Sequence, residues 1–362
     1  MSDPSPVFIS PADPSYPGVV DALASDFREH RVLPLLGAGL SIDEPSGLPL
    51  ANALKNPLVE SLWDSASFMI ADIGPSAEDT AIARTVLEAA RLERLLDALH
   101  ETHGRPALEY LSVLNSRTWN LNHATLATLS REGMLAKCLT LNFDLLIEEA
   151  ITALRCSCRT QCPLMEDEFR FGSGPTKTTV IKPHGSFTPS HVGPDPYRHL
   201  SATLSQAGRH VAPENLEAVR DAVSECPVLF VAGYSDDDWD IFPIFARLAP
   251  QLRRIVWFQY ARQGNIDRRD EVTDVPAVLH EHIKPWLARS GVPATLLIGN
   301  LQTLFKDLLA QLAPGMVPPD LPPPDGLSRV PNASAFRANG GPADPQAVRT
   351  MISLAMLLQH TG

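Results

Sequence analysis

Val32-Leu33-Pro34-Leu35-Leu36-Gly37-Ala38-Gly39-Leu40-Ser41 is an unbroken apolar run that stops at a tight, glycine-containing turn. A short run of this kind suits a strand buried on both faces, as in a parallel sheet covered by helices. The turn after such a strand is where open α/β sheets meet their ligands, and glycine lets the backbone approach a phosphate closely. Gly37-x-Gly39 lacks the third glycine of the dinucleotide fingerprint, because position 42 is isoleucine, so the motif alone also fits a plain turn. The rest of the chain decides between these readings.

Working outward, residues 16–30 carry Val19, Val20, Leu23 and Phe27 at helical spacing, while residues 1–15 are rich in Pro, Ser and Asp and are expected to be flexible. After the turn, Pro45, Gly47 and Pro49 enforce an irregular loop able to fold over a ligand. Residues 50–131 offer no convincing strand, and residues 81–100 are helical in pattern, which predicts a helical insertion walling a cleft. Apolar runs then return at residues 137–141, 178–182, 227–232, 254–258 and 294–298, separated by helical stretches. Strands alternating with helices predict an α/β domain over residues 16–313, a parallel sheet with helices on both faces. The proline-rich stretch 314–344 reads as a stiff linker, and residues 345–362 resume a helical pattern. That last helix either docks back on the core or opens a C-terminal repeat or sensor domain.

At 362 residues and 44% hydrophobic content the chain can bury a substantial core. A net charge of −12 with a pI near 5.4 disfavours a general electrostatic grip on nucleic acid. Neither a secretion signal nor a bilayer-length apolar segment is evident, so a cytoplasmic location is expected, with no membrane partner. Five cysteines, an odd number, argue against a disulfide framework. Cys156, Cys158, Cys162 and Cys138 raise the question of zinc, but no second C-x-x-C pair accompanies them, and no metal is expected.

Four predicted strand ends carry the polar and small residues: Gly37-Ala38-Gly39-Leu40-Ser41, Asn142-Phe143-Asp144, His184-Gly185-Ser186 and Gly233-Tyr234-Ser235. In a parallel sheet these emerge on one edge and converge on one crevice. The carboxylates Asp236, Asp237, Asp238 and Asp240 that follow fit either the acidic first turn of a helix or a magnesium site, and the helix reading is simpler.

In this order the four segments resemble the sirtuin family, over roughly residues 15–312: a G-A-G-x-S loop, an Asn and an Asp after a later strand, a His-Gly pair, then a Gly-Ser loop. The resemblance implies a Rossmann-like domain with NAD as substrate. It places Gly37, Ala38, Gly39, Ser41, Asn142, Asp144, His184, Gly185, Gly233 and Ser235 in the cofactor site. Two departures stand out. Gly47-Leu48-Pro49-Leu50 occupies the neighbourhood of the family's arginine-containing segment, and only Cys226 follows His184, where protein-deacylating members carry four zinc cysteines. The chain looks more like divergent prokaryotic sirtuin-like proteins that hydrolyse NAD in antiphage defence.

On that resemblance, the backbone N–H groups of Gly37, Ala38 and Gly39, with the N-terminus of a following helix, are expected to cradle the pyrophosphate, helped by Ser41 and Ser235. Asn142 is expected to hold a ribose hydroxyl or the attacking water, and His184 to accept a proton. Asp144 either stabilises developing positive charge or caps a helix. NAD hydrolysis is the expected activity. Deacylation, ADP-ribosyl transfer and non-catalytic nucleotide sensing are the alternatives. A homo-oligomer, and an activating partner or sensor domain, are expected to restrain the enzyme.

Overall fold

The computed structural model describes residues 7–73, 77–200, 212–234, 241–260, 283–312, 315 and 318–336. Among these, nine strands form one sheet: β1 (Val7–Ile9), β2 (Val32–Leu36), β3 (Lys137–Thr140), β4 (Cys158–Cys162), β5 (Asp167–Phe171), β6 (Thr178–Ile181), β7 (Val228–Ala232), β8 (Arg254–Tyr260) and β9 (Ala294–Gly299). Their order is β1-β9-β8-β7-β2-β3-β6-β4-β5. Every pairing is parallel except β4 with β5. The run β6-β3-β2-β7-β8-β9 is the doubly wound, Rossmann-like arrangement: the chain begins at β2, builds outward through β3 and β6, then returns to build the other way from β7. The switch point therefore lies between β2 and β7.

The expected apolar run forms the centre of this sheet. All five residues of β2 are buried, as are all five of β7, because helices cover both faces. Side chains alternate along β2: Val32 and Leu36 join the core on one face, and Leu33 and Leu35 join the other. The first core contains α1 (Tyr16–Arg28), α6 (Leu121–Arg131), α7 (Leu146–Ala153) and α11 (Leu301–Leu312). The second contains α8 (Pro213–Glu225), α9 (Phe242–Leu248) and α10 (Ile283–Ser290). Between β2 and β3 the chain is helical, through α2 (Ala51–Ile73), α3 (Ala77–Ala89), α4 (Leu92–His103), α5 (Arg105–Glu109) and α6, with no strand among the described residues. No helix among the described residues is long and apolar enough to cross a membrane.

Three expectations are corrected. The N-terminal stretch is not wholly flexible, since Val7–Ile9 adds to the sheet edge in register with residues 295–297 of β9. The sheet is wider than the apolar runs implied, since Cys158 and Cys162 lie in β4, which extends it together with its antiparallel partner β5. Residues 318–336 do not run out as a free spacer but dock on the inserted helices. There Asp325 accepts from Ser116 Oγ at 2.7 Å, and Arg329 donates to Ser46 O at 3.0 Å and to Ser116 Oγ at 2.9 Å. Phe336 is fully buried beside Tyr110 and His103, an anchor worth roughly 1.5–3 kcal/mol. Ser235, the acidic cluster at 236–240 and the helical pattern at 345–362 lie outside the described residues.

Candidate active site

The turns after β2 and β7 flank the switch point, and they meet backbone to backbone. Gly37 N–H donates to Ala232 O at 3.0 Å, and Gly39 N–H donates to Gly233 O at 2.9 Å. A Cβ on Gly37 would fall 2.4 Å from Gly233 O, and one on Gly39 would fall 2.7 Å from Gly233 Cα. Gly233 itself has φ +67°, where a side chain is strained, and its Cβ would fall 2.5 Å from Leu40 N. The three glycines are thus required by the close packing of two loops. This corrects the expected phosphate cradle: the N–H groups of Gly37 and Gly39 are already committed to carbonyls within the protein. Ala38 is the exposed residue of the turn. The helix N-terminus expected here is also missing, because Ala38–Ser41 is a single 3-10 turn and the next helix starts at Ala51.

Ser41, 1% exposed, is where the loops converge. Its Oγ accepts from Asn142 Nδ2 at 3.3 Å and donates to Asp144 Oδ2 at 3.3 Å, bringing the β2 and β3 ends together across about a hundred residues of sequence. Asn142 is held in place by its own N–H, which donates to Thr140 Oγ1 at 3.2 Å. Of the two readings the sequence offered for Asp144, the structure shows a helix-start contact: its Oδ1 accepts from Leu146 N–H at 3.1 Å at the start of α7, while Oδ2 faces Ser41.

A third partner of Ser41 has no counterpart in the sequence reading. His123 Nε2 lies 3.3 Å from Ser41 Oγ, on the first turn of α6. Asn120 caps that helix, accepting from Asn122 N at 3.0 Å, and its backbone N–H faces His123 Nδ1 at 3.3 Å in a reciprocal capping box. The Asn120 and Asn122 side chains both donate to Leu40 O at 3.0 Å, so α6 holds the glycine turn from behind. Burial lowers the His123 pKa to about 3, with Lys182 acting in the same direction, and the ring stays neutral near pH 7. The Ser41 hydroxyl can donate to only one of Asp144 and His123, so its proton and the imidazole proton are coupled. The spacing Asn120-x-x-His123 ahead of an apolar run is a helix-start signal that would have drawn attention to this pair.

His184 is buried on the turn after β6, which Gly185 closes with φ +80° as its N–H donates to Lys182 O at 3.0 Å. β6 lies beside β3, and Phe187 N–H donates to Phe143 O at 3.0 Å, so the turns carrying Asn142 and His184 are joined. Beneath them Lys182 is fully buried against Glu148. Burial raises the pKa of the Asp144 carboxyl, and the Lys182 ammonium draws it back down.

All five cysteines are free and buried. Burial pushes the Cys162 thiol up to about 12, so it stays protonated at neutral pH. No group of three or more His, Cys, Asp or Glu side chains among the described residues is arranged to hold a metal ion. A separate cleft of about 440 Å³ lies along α7, lined by Arg117, Glu149, Phe171 and His191. It gathers none of the residues expected in the site.

A doubly wound sheet with polar side chains gathered at the carboxyl ends of its central strands is the arrangement in which open α/β proteins bind their ligands. Residues 136–276 match the family model described as SIR2-like domain, so this part of the chain is similar to SIR2-like domains, a likeness that points to NAD. The match includes Asn142, Asp144, His184 and Gly233, and begins after the Gly37 turn. No curated protein matches the chain significantly.

Proposed function

We propose that the chain hydrolyses NAD at the bond between nicotinamide and ribose, releasing nicotinamide and ADP-ribose. The supporting observation is the buried junction at Ser41, which holds Asn142 and Asp144 at 3.3 Å each beside the turn that carries His184. In this reaction the glycosidic electron pair passes to the pyridinium nitrogen, which becomes neutral, while positive charge develops on the sugar as in glycoside cleavage. Asn142 orients a ribose hydroxyl or the incoming water. The Asp144 carboxylate offsets the developing charge. Water forms the new bond to the anomeric carbon, and His184 accepts its proton.

The exposed Ala38, with the segment at 42–49 that Arg329 holds through Ser46, forms the phosphate side of the proposed site. The sirtuin resemblance, and the absence of a cysteine quartet after His184, support a hydrolase that depletes NAD in antiphage defence. A homo-oligomer or an activating partner restrains it in this reading. The test is nicotinamide release from NAD by the full chain. Asn142→Ala and His184→Ala are each expected to lower the rate by about 10²–10⁴-fold with folding intact. Equal rates in wild type and both variants would refute the assignment.

A further inference from the structure

Lysine is almost never fully buried unless it is paired, and Lys182 is 0% exposed. Its three N–H bonds have three acceptors. Nζ lies 3.2 Å from Glu148 Oε1, donates to Ser186 Oγ at 3.3 Å, and donates to the backbone carbonyl of Asp144. Glu148, equally buried, also accepts from Thr160 Oγ1 on β4 at 2.7 Å, while its Oε2 has no hydrogen-bond partner among the described residues. A buried ion pair is a poor source of stability, since a well-packed apolar pair of the same volume does as well or better. Holding a carbonyl on one turn and a hydroxyl on another is something an apolar pair does not do.

We infer that Lys182 is a positioning residue: its ammonium clamps the Asp144 carbonyl and the Ser186 hydroxyl from beneath, fixing the turn that carries Asn142 and Asp144 relative to the turn that carries His184. Its catalytic consequence rests on the NAD-cleavage reading of this edge, but the clamp itself does not. Glu148, in the first turn of α7, neutralises the ammonium and sets its direction. The charged and titratable groups facing the Asp144 carboxyl are then Lys182, Glu148 and, through Ser41, the neutral His123. Removing Lys182 takes away the nearest charge that favours the carboxylate.

The test compares the full-length wild type with E148Q and with the charge-balanced K182M/E148Q, in which the amide oxygen introduced at position 148 still accepts from Thr160. Two readouts are used: amide hydrogen exchange, which needs no turnover, and the pH profile of nicotinamide release. In K182M/E148Q the amides of Asn142 and Leu146 are expected to exchange at least about tenfold faster, while those of β7 and β8 are unchanged. The same variant is expected to lose about 10–10²-fold in kcat with KM for NAD within about threefold, and its acid limb moves to higher pH. E148Q, which keeps the clamp, is expected to retain wild-type exchange at both amides. Wild-type exchange in K182M/E148Q would overturn the proposal. So would failure of K182M/E148Q to fold while E148Q folds normally, which would make Lys182 a core stabiliser instead. If wild type releases no nicotinamide, the NAD-cleavage reading fails, and exchange still decides the role of Lys182.

Discussion

The turn after β2 and the turn after β3 lie side by side on one edge of the sheet, yet they are held by opposite means. Residues 37–41 are fixed by backbone: Gly37 and Gly39 press against Gly233 so closely that no side chain fits between them. Residues 142–144 are fixed by hydrogen bonds that each involve a side chain: Ser41 holds two polar atoms, and Thr140, the Leu146 N–H and the buried Lys182 hold one each. A backbone contact of the first kind tolerates almost no substitution but carries no charge. A network of the second kind can be adjusted in charge and proton position, which is what bond cleavage requires. In the proposed reaction the first turn supplies shape and the second supplies chemistry.

The largest expected effect tests the backbone side. Gly37→Ala and Gly233→Ala place a Cβ 2.4–2.5 Å from backbone atoms. Each is expected to cost several kcal/mol, seen as loss of soluble protein or a large fall in Tm. A Gly37→Ala protein with wild-type Tm would break the comparison.

Next is Ser41→Ala, which leaves Asn142 Nδ2 and Asp144 Oδ2 without their shared partner. It is expected to cost about 1–3 kcal/mol in stability and at least about tenfold in nicotinamide release, measured by urea unfolding and product assay.

The pH dependence of stability sharpens the account further. The folded-state pKa of His123 is depressed to about 3 from an ordinary value of 6.5, so the unfolded chain binds a proton that the native state refuses. Its contribution is fully present above pH 6.5 and is lost as pH falls towards 3. In that window urea-derived stability is expected to fall with up to one extra proton per molecule, and His123→Gln is expected to flatten the slope.

The smallest effect belongs to Tyr260→Phe. It removes the hydroxyl that donates to Gly39 O at 2.9 Å and is expected to cost about 1 kcal/mol, because close packing already holds the glycine turn.

The central strands were legible because burial on both faces leaves a continuous apolar run, and their parallel pairing followed from strand–helix alternation. Asn142, Asp144 and His184 were legible as polar residues at strand ends. The use of Gly37 and Gly39 was not, since a glycine kept for backbone packing and one kept for phosphate approach look alike in sequence. The β4–β5 pair was obscured because its alternation places Arg159 and Gln161 between buried residues, and its cysteines drew the reading towards zinc. The docking of residues 318–336 rests on Asp325, Arg329 and Phe336 finding partners over two hundred residues away, which no local pattern reveals.

Amide hydrogen exchange of the wild-type chain with and without NAD tests the central claim most directly. Binding at the strand ends predicts added protection at residues 38–41 together with 142–146 and 184–187. Protection confined to the cleft near Arg117 and His191, with both turns unchanged, would contradict it.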